Sequence, residues 1–222
     1  MIRPQVLLLK EGTGTSQGKS HLIANINACA AVADILRTTL GPMGMDKLIK
    51  TADTVNISND GATILRLLDL VHPAAKTLVE ISQSQDKEIG DGTTSVVLLA
   101  SELLQNAKEF IEDGVTPQAI IAGYRAASAE ALNHLEAISF KVTDIDLPDG
   151  GGDSKERFML RQCAKTALNS KLIENEKDFF ASMLVDAYLS SAEHGAPREF
   201  VHVKPIAGGS VRESFLVQGV AF

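Results

Sequence analysis

Gly90-Asp91-Gly92-Thr93-Thr94-Ser95 concentrates the residue types that hold an anion. It stands between the polar run Ser82 to Glu88 and the apolar-periodic segment Val96 to Ile111. Gly90 and Gly92 let the backbone approach a ligand closely. The unpaired N–H groups at a helix start point outward, and the helix dipole favours negative charge there. Thr93, Thr94 and Ser95 add hydroxyl donors. Asp91 suits a bare phosphate poorly, because two anions repel. A cation between them reverses this, and Mg²⁺ is commonly held by one or two carboxylates together with phosphate oxygens. The stretch therefore fits a Mg-nucleotide phosphate site. The same residues also fit an ordinary helix start with Asp and Thr as caps.

Two other stretches carry related chemistry. Thr38-Thr39-Leu40-Gly41-Pro42 ends a helical pattern and is a second candidate phosphate loop, although Gly then Pro is also a common helix stop. Asn59-Asp60-Gly61-Ala62-Thr63 opens a further helix. Asp60 is either an N-cap, worth about 1 kcal/mol, or a carboxylate beside the same nucleotide. Gly18-Lys19-Ser20 imitates the end of a P-loop. That motif needs a Gly five residues before Gly18, where Thr13 stands between Gly12 and Gly14. It reads instead as a loop capped by Ser20. The five histidines are scattered without metal-ligand spacing, and no Ser/His/Asp or Cys/His grouping stands out.

The elements that position these residues follow from periodicity. Val6 to Leu9 reads as a buried strand, and Glu11 to Lys19 as a loop. Leu22, Ile26, Cys29, Ala33, Leu36 and Leu40 form one helix face. Asp46 to Lys50 and Val55 to Ser58 predict a hairpin. Helices then run from Asn59-Asp60 through Leu68, from Pro73 to about Ser84 and from Val96 to Ile111, and Gly114-Val115-Thr116-Pro117 separates the last of these from another helix reaching Ile138. The acidic, Gly-rich run Val142 to Asp153 reads as a surface loop or domain boundary. Helices over Lys155 to Asn169 and Lys177 to Ser191 follow, with Ala167-Leu168-Asn169-Ser170-Lys171 closing the first. Alternation predicts strands over Phe200 to Pro205 and Ser214 to Val220. The chain stops inside that apolar pattern, which reads as a cut. The predicted class is mainly α with small β elements (α+β).

Composition narrows the partners. The chain has 222 residues, is 45% hydrophobic and carries a formal net charge of -7 without a basic run. Nucleic acid and anionic membrane surfaces are excluded as expected partners. The two cysteines, Cys29 and Cys163, lie in helical patterns and read as core thiols of a reducing compartment. There is no signal-peptide core and no apolar run of membrane-spanning length, so a cytoplasmic protein is expected.

Leu40-Gly41-Pro42, Asn59-Asp60-Gly61-Ala62-Thr63 and Gly90-Asp91-Gly92-Thr93-Thr94, in that order and joined by helices, resemble the ATP site of group II chaperonins. These are the protein-folding machines of eukaryotes and archaea. The resemblance covers nearly the whole chain. It implies an equatorial ATP-binding domain segment over 1–139, the first intermediate-domain segment over 140–213 and the start of an apical domain over 214–222. It implies that Leu40, Gly41 and Pro42 cradle the phosphates and that Asp91 ligates Mg²⁺. Gly90, Gly92, Thr93, Thr94 and Ser95 would form the phosphate turn. Asp60 and Gly61 would lie near the γ-phosphate, with Asp60 helping to order the attacking water or a K⁺ ion. Lys171 resembles the nucleotide-sensing lysine.

The family further implies ATP-driven folding of clients such as actin and tubulin, with paralogous subunits in a double ring. Some features depart from the pattern. Met43 stands where family members often carry a basic residue, and Gly150-Gly151-Gly152 resembles an insertion. The family's second intermediate segment, with its catalytic aspartate, and its second equatorial segment have no counterpart in the sequence. About half of an ATP site is therefore expected. The alternative is a short, non-catalytic product that binds chaperonin subunits.

Overall fold

Ile26, Cys29, Val32, Ala33 and Leu36 recur on one side of α1 (Lys19–Arg37) and are buried together. A computed structural model describes residues 18–51, 54–140, 154–193 and 201–219. The strand expected at Val6 to Leu9 and the run Val142 to Asp153 lie outside the described residues. The α1 stripe packs chiefly on α4 (Thr93–Glu112) and α3 (Pro73–Glu88), with the short α2 (Gly61–Leu67) wedged against both. Ile64 and Leu65 of α2, Ala75 and Leu78 of α3, and Val97 and Leu98 of α4 complete this core. Spacings of three and four residues on each helix make the buried stripe.

Helix starts follow local chemistry. Pro73 occupies the first turn of α3, and His72 caps it, with Nδ1 accepting from the Ala74 N–H at 3.2 Å. Pro117 starts α5 (Pro117–Ile138) in the same way. The Ser20 cap does not form, because α1 begins one residue earlier, directly after Gly18. The expected hairpin is present as β1 (Lys47–Lys50) and β2 (Val55–Ser58), antiparallel with Leu48 opposite Ile57. Ile49 packs on the helical core, while Leu48 and Ile57 face outward.

α6 (Lys155–Leu168) and α7 (Lys177–Glu193) form a second packed pair. Lys165 Nζ meets Asp178 at 2.5 Å, and Arg157 pairs with Asp186. Cys29 is buried, and burial pushes its thiol pKa up. Cys163 is exposed, against the expectation of a core thiol. It lies five residues before the buried Leu168, about 140° round the helix, on the solvent side. The tail strands are also corrected. Among the described residues, 201–206 and 214–217 form no paired strand, and they flank a 3₁₀ turn at Val211–Glu213. Alternation alone does not make a strand without a neighbour to accept its hydrogen bonds. Elsewhere the observed class is as read: mainly helical with one small sheet. Among the described residues, no helix is long and apolar enough to cross a membrane.

Candidate functional site

α2 and α4 both begin directly after an Asp-Gly or Gly-containing turn, and they touch at their N-termini. Asp60 is the N-cap of α2. Its Oδ2 accepts from the Thr63 N–H at 3.0 Å and from Thr63 Oγ1 at 2.8 Å. Its Oδ1 accepts from Thr93 Oγ1 at 3.3 Å and faces Lys171 Nζ at 3.5 Å. The N-cap reading of Asp60 therefore holds, and the same carboxylate also joins a polar cluster. Burial pushes the Asp60 pKa up. The two Thr63 hydrogen bonds and the Lys171 charge outweigh it, and the net value falls below the usual carboxylate range.

Gly61 explains why the two helix starts meet. A Cβ there would lie 2.6 Å from Thr94 Oγ1 and 2.8 Å from the Thr94 backbone nitrogen. Only a residue without a side chain fits that contact. Thr93 and Thr94 are buried by it, while Ser95 is exposed.

Gly92 is the N-cap of α4, in the left-handed region at φ 74°. No side chain caps this helix, so the Asp and Thr cap of an ordinary start is not formed. Gly90 is also left-handed and exposed. The Asp91 side chain is exposed and accepts from the Gly92 N–H at 2.8 Å, while its backbone carbonyl accepts from Gln85 Nε2 at 2.9 Å. That leaves carboxylate lone pairs facing solvent. Among the described residues, no group of three His, Cys, Asp or Glu could cage a metal. The donor set fits Mg²⁺, which is commonly bound by one or two carboxylates with water and phosphate filling its shell.

The third stretch forms a tight turn. Thr39 Oγ1 donates to the Leu36 carbonyl at 2.8 Å, and the Met45 N–H donates to the Thr38 carbonyl at 2.7 Å. Leu40 and Pro42 are exposed on it, and Gly41 turns the chain at φ 78°. Pro42 borders a polar cleft of about 190 Å³ that Asn59, Ser170 and Lys171 also line. Direct contacts thus unite Asp60, Gly61, Thr93, Thr94 and Lys171, and the cleft brings Pro42 to Lys171. The Asp91 carboxylate bonds to the adjacent Gly92 N–H instead.

The sequence reading missed Asn59 and Thr63. Thr63 was visible as the third helical residue after a capping Asp. Asn59 donates from Nδ2 to the Ser170 carbonyl, 111 residues away. Only its place beside Asp60 hinted at a role.

Residues 32–222 match the TCP-1/cpn60 chaperonin family. The chain belongs to that family. It is 53% identical to T-complex protein 1 subunit eta of Arabidopsis thaliana, over all of this chain and 39% of the relative. The Saccharomyces cerevisiae eta subunit is 49% identical over 99% of this chain and 39% of its own length. The human eta subunit is 49% identical over all of this chain and 40% of its own length. The chaperonin chain thus spans about 39% of the length of such relatives. All three motifs and Lys171 fall inside the matched family span.

Proposed function

We propose that this chain supplies the phosphate-facing part of an ATP site in a chaperonin subunit of the eta type. The observation that carries this is the Asp60 cluster. Two helix N-termini, the hydroxyls of Thr63 and Thr93, and a lysine converge on one ionised carboxylate, beside an α4 start that no side chain caps. In this reading Leu40, Gly41 and Pro42 cradle the phosphates, and Gly90 to Ser95 form the phosphate turn. Asp91 holds Mg²⁺, which would neutralise the phosphate charge there. Asp60 orients the attacking water or a K⁺ ion, and Lys171 answers to the γ-phosphate. Such a site works by positioning and electrostatics more than by covalent chemistry.

The segments 1–139, 140–213 and 214–222 serve as equatorial, intermediate and apical portions. The complete subunit works in the cytoplasm, in a double ring with paralogous subunits, on unfolded clients of the actin and tubulin class. The outward Leu48 and Ile57 of the hairpin support contact with a neighbouring subunit.

The test is calorimetric titration of the chain with ATP, with Mg²⁺ and with EDTA. Mg²⁺ should tighten ATP binding by about tenfold or more, the worth of one charge-assisted contact, and Asp91→Ala should erase that gain. Equal affinities in the two proteins would reject the site. A second reading, a non-catalytic module docking on chaperonin subunits, is favoured by α5. Among its residues none is buried, and Ile121, Leu132, Leu135 and Ile138 are exposed. ATP hydrolysis by the chain above that of a Gly92→Leu control would remove this second reading.

A further inference from the structure

We propose that Asn59 is a positioning residue that seats Lys171 against Asp60, and thereby sets how strongly the site prefers a nucleoside triphosphate to a diphosphate. This rests on the nucleotide reading above. Asn59 directly precedes Asp60, and Ser170 directly precedes Lys171. Asn59 Nδ2 donates to the Ser170 carbonyl while Asp60 Oδ1 faces Lys171 Nζ at 3.5 Å. Two neighbouring residues at the end of the hairpin therefore grip two neighbouring residues in the turn between α6 and α7.

The two grips differ in kind. The Lys171 contact is long and partly solvated, with 34% of the lysine side chain exposed. A flexible lysine stem held by such a contact alone fixes little. The Asn59 bond ends on backbone, so it fixes where the turn itself lies. Other bonds set the turn's shape without setting its place. The Lys171 N–H donates to the Leu168 carbonyl at 3.1 Å, and the Glu174 N–H donates to the Lys171 carbonyl at 3.0 Å. Lys177 Nζ closes the same turn onto Asn169 Oδ1 at 2.7 Å.

Asn59 is itself held in place by its neighbour. The Asp60 N–H donates to Ser58 Oγ at 3.1 Å, tying the segment to β2. An arriving terminal phosphate would compete with Asp60 for the Lys171 ammonium. With Ser170 pinned, Lys171 can change partner without its backbone leaving the site. Without the pin, the lysine is lost to both partners.

The experiment is a double-mutant cycle on the 222-residue chain, read as the ratio of ATP to ADP affinity. Lys171→Ala and Asn59→Ala should each lower that ratio about tenfold, and the double variant should fall no further than Lys171→Ala alone. Asn59→Asp keeps the shape but loses the donor, and should match Asn59→Ala. A wild-type ratio in Asn59→Ala would overturn the proposal. So would equal loss of ATP and ADP affinity, or additive effects in the double variant. Hydrogen exchange without nucleotide gives a separate arm. In Asn59→Ala the Lys171 and Glu174 amides should exchange faster, while the Ile64 and Val96 amides keep their rates. Unchanged exchange at Lys171 would overturn the seating even if the wild-type chain bound neither nucleotide. That failure to bind would count against the nucleotide reading itself.

Discussion

Asp60 and Asp91 each stand just before a helix that begins with glycine or threonine, yet they are used in opposite ways. Asp60 is half-buried, and its two oxygens meet Thr63, Thr93 and Lys171. Asp91 is exposed, and its carboxylate accepts from the adjacent Gly92 N–H. The difference comes from what lies across the helix start. α2 begins against α4, at a distance only Gly61 permits. α4 begins just after Gly92, where the nearest atom to a would-be Cβ is Gln85 Nε2 at 3.5 Å. One carboxylate is built into the structure, and the other is left available. A motif of the same composition can thus be a strut or a group left exposed to ligands, depending on its neighbours.

The largest effect should come at Gly61, with Gly92 as its contrast. Gly61→Ala drives a methyl group into the Thr94 backbone and should destabilise the chain by about 2–3 kcal/mol, as overpacking does. Gly92→Ala has room for its methyl group but must hold φ 74°, at a cost of about 1 kcal/mol. Urea unfolding of both variants measures the contrast, and equal losses would erase it.

The carboxylates themselves should differ next. Asp60→Ala removes a helix cap and leaves Thr93 and Lys171 without their acceptor, a loss of about 1–2 kcal/mol. Asp91→Ala should stay within about 0.5 kcal/mol of wild type, since it alters an exposed side chain. If Asp91→Ala proved the more damaging by the same urea titration, the division into strut and ligand would fail.

The smallest effect is in the pH dependence. The folded Asp60 pKa lies below its unfolded value, so the ionised form is the one that folding favours. Its contribution is complete above the ordinary carboxylate pKa of about 4 and is lost as pH falls through the lower folded value. The stability gap between wild type and Asp60→Asn should therefore shrink as pH drops from 7 toward 3. A gap constant across that range would show that the Asp60 charge contributes nothing.

Much of this architecture was legible in the residues. The α1 stripe, the hairpin and Pro73 as the start of α3 are local features, and local rules place them. Boundaries moved where a terminus was set by a contact. α4 starts at Thr93, not Val96, because Thr94 packs on Gly61 and Thr93 donates to Asp60. α3 runs on to Glu88, past Ser84. The tail alternates like a strand and forms none among the described residues, because pairing is a property of two segments. Cys163 sits in a helical pattern and is exposed, because periodicity does not say which side of α6 meets α7.

The sequence by itself determined the helices, the hairpin, the three glycine-bearing turns and the family, since each depends on residues close together in the chain. The tertiary structure alone decided which carboxylate is occupied and which is free. It also decided that Asn59 and Asp60 meet Ser170 and Lys171 across 111 residues. No spacing rule encodes that meeting. It arises because the hairpin and α2, anchored to one helical core, come to rest against the turn joining another pair of helices. Contacts between such separately packed groups depend on the whole fold.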